Sequence, residues 1–180
     1  HVLPDGAIMS YAEAGAGAPM VLVHGWAANG AFFRDLSTEL AKSHRVYTLT
    51  LRGHPGSGTG QSPLTIETLA DDIAHFCETL ELSGVTTLGW AMGAMTLWAA
   101  APKLGARLGA IIVEDMAPRV VNDATWRFGV TGDYAEEDVA GTWKEINGDW
   151  PTYVSRFAPR MFAPGLSTQR PAIAAFATAE

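Results

Sequence analysis

The sequence predicts an α/β fold: a mostly parallel, doubly wound sheet followed by a separate helical segment. Three observations lead there. Short apolar or β-branched runs alternate with helical periodicity from about residue 20 to residue 118. Glycine-bearing turns follow the runs at their C-terminal ends. Beyond Pro118 the strand pattern stops and helix-like segments take over.

Taken in order, Ser10-Tyr11-Ala12-Glu13 fits an edge strand. Met20-Val21-Leu22-Val23 is a buried strand running into His24-Gly25, and residues 32–41 read as a helix. Arg45-Val46-Tyr47-Thr48-Leu49 is the next strand, followed by the glycine-rich turn Arg52-Gly53-His54-Pro55-Gly56-Ser57-Gly58. Residues 65–82 read as a strong amphipathic helix, with Thr65 as its cap and Ile66, Leu69, Ile73, Phe76, Leu80 and Leu82 mostly along one face. Thr86-Thr87-Leu88 is a short strand into Gly89, residues 92–101 a helix, and Ala110-Ile111-Ile112-Val113 a further strand. Strands separated by helices require crossovers, hence a parallel sheet covered on both faces. Residues 1–118 are therefore read as the sheet-bearing core and residues 119–180 as a helical cap, with helices over 122–128, 136–146, 151–162 and 168–179. Ligands of open α/β sheets bind at the C-terminal ends of the strands.

Composition narrows the function classes. The 180 residues carry a net charge of −7, which disfavours nucleic acid, whose affinity comes largely from Lys and Arg on phosphates. No apolar run reaches membrane-spanning length. The single cysteine, Cys77, allows no internal disulfide and reads as a buried thiol in a reducing compartment, so a cytoplasmic location is expected. The five histidines and one cysteine show no metal-ligand spacing, and neither G-x-G-x-x-G nor a phosphate-loop lysine is present; no cofactor is expected.

The segment Leu88-Gly89-Trp90-Ala91-Met92-Gly93 is a strand-to-helix turn with glycines on either side of a central residue. This is the G-x-S-x-G nucleophile elbow with alanine in the middle. The glycines are needed because strand and helix backbones nearly touch there, and the helix N-terminus points amides at the reaction centre. Together with His24-Gly25-Trp26 after one strand and Arg52-Gly53-His54 after the next, the elbow resembles the α/β-hydrolase superfamily, serine carboxylesterase-like branch, over residues 20–118. The resemblance implies that the Trp26 and Met92 amides form an oxyanion hole, and that Thr50 stands where the family's D-x-R-G-x-G-x-S loop has an aspartate, with Pro55 interrupting the loop. The Leu-Gly-Trp-x-Met-Gly frame also looks like the carboxylesterases that cleave pimeloyl esters in biotin synthesis, and Asp115-Met116-Ala117-Pro118 like a short-acyl esterase branch; neither likeness fixes a substrate.

Ala91 is the departure, since a methyl group cannot attack a carbonyl. It is read as a Ser→Ala replacement of the kind that traps a substrate, with a natural non-catalytic binding protein and an aspartate-nucleophile dehalogenase or epoxide hydrolase as alternatives. A binder has less reason to keep so strained a turn, and Met92-Gly93-Ala94 resembles the serine branch. Asp115 is the candidate triad acid, against the plainer reading of an aspartate bonding the amides of its own turn. Glu114 alternates to the other side of the strand and is the weaker candidate.

None of His1, His24, His44, His54 and His75 is placed as the base, which in the family follows the last strand. A sheet ending at residues 110–113 would expose an apolar edge. The expectation is thus of an incomplete chain, with the base, and with it the remaining strands, lying outside it or supplied by a second chain. His24, Gly25, Trp26, Phe32, Trp90 and Trp126 are the expected pocket residues. The function expected is hydrolysis of a carboxylic ester, lactone or thioester with an apolar or aromatic substrate.

Overall fold

The computed structural model describes residues 1–130 and 132–157. The chain divides into two units, His1–Met116 and a second that begins at Ala117. The first unit is built on five strands: β1 (Tyr11–Ala14), β2 (Ala18–Val23), β3 (His44–Leu49), β4 (Val85–Trp90) and β5 (Leu108–Glu114). Their order in the sheet is β1-β3-β2-β4-β5. β1 runs antiparallel to β3, and every other pairing is parallel. The strand pattern of the sequence is thus realised, with β4 and β5 each extending beyond the apolar run that announces it.

Three helices serve this sheet: α1 (Arg34–Leu40), α2 (Ile66–Thr79) and α3 (Met92–Leu104). A 3₁₀ turn, Gly30–Phe33, precedes α1, so the expected helix over 32–41 is split. Asn29 sets that turn by accepting the Ala31 amide at 3.0 Å. Thr65 caps α2 as expected, accepting from the Thr68 amide at 3.2 Å. The main core lies where Val21, Val23, Tyr47 and Leu49 meet Ile73, Phe76 and Leu97 from α2 and α3. Met20, Leu22 and Val46, at the alternate positions of the same strands, are buried outside that cluster. Cys77 lies within the core, and burial pushes its thiol up to about 11, so it is an inert packing residue.

β5 is the flank at which the sequence leads one to expect an exposed apolar edge. Among the described residues it pairs only with β4, and Ile112 and Val113 are 43% and 39% exposed.

In the second unit, α4 (Glu136–Gly148) and α5 (Trp150–Phe157) are helical. Residues 122–128 are not. Asp123 bridges Trp126, Asn122 bridges Ala135, and the Asp123 carboxylate accepts from the Thr125 amide at 2.6 Å. The Asn122 side chain accepts the Gly129 amide at 2.8 Å and donates to the Gly132 carbonyl. Short polar side chains that bond nearby backbone offer it an alternative to the helix, and here that alternative wins. The helix expected over 151–162 is present as α5 as far as Phe157; its remainder and the segment 168–179 lie outside the described residues. Among the described residues no helix is long and apolar enough to cross a membrane.

Candidate active site

The C-terminal ends of three adjacent parallel strands, β2, β4 and β5, carry the expected site. Each is followed by a residue forced into a backbone conformation that side chains resist. Of four non-glycine residues with positive φ among those described, three are Ala27 (58°), Ala91 (49°) and Asp115 (49°), after β2, β4 and β5 respectively. Such conformations each cost about 1–3 kcal/mol and persist only where the surroundings over-determine them.

The surroundings do so at Ala91. A Cβ on Gly93 would lie 2.1 Å from the Val23 carbonyl oxygen, and one on Gly89 would lie 2.5 Å from the Ala94 nitrogen. Both glycines are therefore obligatory: the helix can begin this close to the strands only without side chains there. The Ala91 amide is fixed by the Glu114 carbonyl at 3.0 Å, which continues the β4–β5 ladder one step past Trp90 and Glu114. Met92 opens α3, so its N–H has no acceptor within the helix and points out of the N-terminus with the positive end of the helix dipole.

Gly25 lies against the elbow. A Cβ there would be 3.2 Å from the Ala91 Cβ and 2.8 Å from the Trp90 ring. Trp90 fills that space and is 8% exposed; Phe32 stacks on it with ring centroids 4.2 Å apart and planes 3° from parallel. Of this stacked pair, Phe32 is the open one, at 40% exposure.

His24 is fully buried, and both ring nitrogens meet the backbone. Nδ1 lies 2.7 Å from the Gly25 carbonyl, and Nε2 accepts the Leu51 amide at 3.0 Å. An Nε2 that accepts must be unprotonated, so Nδ1 carries the hydrogen and donates it to Gly25. Burial, the dominant cause, holds the imidazole down at about 4. The pocket role expected for His24 is thereby corrected: it is a neutral pin between the turns after β2 and β3, and it cannot serve as a base. His54 packs edge-on against it at 4.8 Å.

Two residues of the loop that the resemblance singles out brace the site in ways the sequence does not show. Thr50, in the place of the usual aspartate, accepts the Gly30 amide at 3.0 Å and so fixes the 3₁₀ turn that carries Phe32. Arg52 is buried and bonds Asp72 of α2 through two nitrogens, at 2.6 and 2.7 Å, and Asp5 at 2.7 Å. The Asp72 bond, assisted by Asp5, holds the guanidinium charged, and Arg52 in turn keeps the Asp5 carboxyl well below the usual range. The sequence marks Arg52 only as part of the Arg52-Gly53-His54 turn; its burial and its two carboxylate partners are not legible there.

Asp115 is exposed and, among the described residues, its carboxylate makes no hydrogen bond or ion pair, so it does not cap its own turn. Trp126 belongs to the second unit; its indole N–H is buried without a partner among the described residues, and its ring meets Phe128 edge-on at 5.6 Å. Among the described residues no group of three or more potential metal ligands is clustered.

Comparison with known proteins gives a consistent picture. The chain is 27% identical over 138 residues to the pimeloyl-[acyl-carrier protein] methyl ester esterase of Sodalis glossinidius, covering 77% of this chain and 50% of that protein. It is 33% identical over 102 residues to ethanol acetyltransferase 1 of Cyberlindnera fabianii, covering 56% of this chain and 30% of that protein. The chain thus spans half or less of these relatives. An esterase from Exiguobacterium antarcticum superposes with a TM-score of 0.79 over 87% of this chain and 58% of its own, at 24% identity, a likeness of fold. Residues 18–176 match the family described as alpha/beta hydrolase fold, and the chain belongs to that family.

Proposed function

We propose that this chain carries the nucleophile half of a serine hydrolase of carboxylic esters, lactones or thioesters, in a form that Ala91 prevents from turning over. The observation that carries this reading is the set of three strained residues in the turns after three neighbouring strands: Ala91 and Asp115 directly after β4 and β5, and Ala27 four residues past the end of β2. Strain of this kind clusters where a constellation must be held against its own preference.

With serine at position 91, its hydroxyl oxygen attacks the ester carbonyl carbon. The amides of Trp26 and Met92 receive the developing oxyanion. The alkoxy C–O bond breaks, the alcohol leaves with a proton, and water then hydrolyses the acyl-enzyme. Proton transfer falls to a histidine other than the five of this chain, oriented by Asp115, whose uncommitted carboxylate suits that task. The segment from residue 119 is the cap of this reading. Similarity to an enzyme named as a methyl ester esterase supports an ester as the substrate class. A second reading, ligand binding without chemistry, is favoured by the Ala91 methyl itself.

The test is Ala91→Ser in the full-length protein, reacted with a fluorophosphonate probe beside the alanine form. Labelling of the serine form alone is expected. Absence of labelling in a folded serine form would overturn the hydrolase reading and leave the binding one.

A further inference from the structure

Phe32 stands out because it is exposed, yet more firmly held than an exposed side chain needs to be. One face is covered by Trp90 in a near-parallel stack, and Phe33 meets its ring at 85° with centroids 5.4 Å apart. Although one face of the ring is covered, Phe32 is 40% exposed. The backbone beneath it is fixed from two sides, by the Asn29 cap and by the bond from the Gly30 amide to Thr50. Gly30 lies close against the end of β3, where a Cβ would be 3.1 Å from the Leu49 carbonyl oxygen. Trp90 connects this ring to the reaction centre: it precedes Ala91 in the chain and occupies the space beside Gly25.

We infer that Phe32 is a specificity-determining residue that selects esters bearing a flat, aromatic group beside the carbonyl, with Thr50 as the residue that positions it. A rigid exposed ring adds little for a flexible alkyl chain beyond ordinary apolar contact. For an aryl group it adds the preference of aromatic rings for offset or edge-on pairing, at a small cost in lost side-chain freedom. The inference rests on the ester-binding reading above and names the substrate class within it.

The Ala91 form suits the test because it holds an ester without consuming it. Binding of methyl phenylacetate and of methyl hexanoate to the full-length protein carrying Ala91 would be titrated by NMR, in the parent and in Phe32→Leu, which keeps an apolar side chain and removes the ring. The aryl ester is expected to bind the parent more tightly and to lose about three- to tenfold in the variant, while the alkyl ester changes less than about twofold. Thr50→Val, which deletes the acceptor for Gly30, is expected to weaken the aryl ester selectively as well. Equal effects on both esters, or none, would overturn the role of Phe32 while leaving ester binding intact. Failure of a folded parent to bind either ester would overturn the ester-binding reading and this inference with it.

Discussion

His24 joins the turns after β2 and β3 through one donated and one accepted bond, and it can do both only while neutral. Its pKa is lowered from 6.5 to about 4, so the unfolded chain binds more protons than the folded one between those values. Stability is therefore complete above pH 6.5 and falls as the pH drops towards about 4. A shift of this size is worth about 3 kcal/mol. Urea unfolding at about pH 7 and about pH 4.5 should show that loss in the parent and little of it in His24→Asn. An equal loss in both would assign the acid sensitivity to other groups. Asp5 does not blur the result: its pKa is depressed, so its contribution is lost only as the pH falls below 3.8. At this scale much of the candidate site was legible in the sequence. Gly89, Gly93 and Gly25 are glycines for steric reasons that a motif records faithfully. Which aromatic is open and which is filler was not, because Phe32 and Trp90 differ in exposure only once they are stacked.

Among the elements, α2 is fastened at two levels. Its apolar face packs into the core, and Asp72 on the same helix reaches the buried Arg52. A charge pair out of water is a weak source of net stability, but removing one partner leaves the other uncompensated. Arg52→Leu should therefore cost about 3–5 kcal/mol, because it strands Asp72, whereas Arg52→Leu with Asp72→Leu should recover part of the loss. Denaturant midpoints of the three proteins check this, and a single variant as stable as the parent would mean that the pair is dispensable. Strands and helices of the first unit were legible because apolar periodicity and glycine turns agree there. The error at residues 122–128 arose where local polar chemistry overrides a helical reading: Asn122 and Asp123 bond the backbone into turns.

For the molecule as a whole, β5 is the exposed flank, with backbone groups on one side unpaired among the described residues and apolar side chains at 112 and 113. An edge of this kind templates further strand pairing. This chain should self-associate as concentration rises, and Ile112→Lys should suppress it, measured by light scattering; unchanged association would place the adhesive surface elsewhere. The elbow has a different kind of consequence. Its contorted backbone already tolerates a β-carbon at position 91, and glycine at 25 spares that carbon a side-chain contact at 3.2 Å. Serine, cysteine or aspartate placed there would each project a reactive atom from the same carbon, along the same line. The fold thus behaves as a tool holder: it keeps the aim, and the side chain at position 91 supplies only the bit.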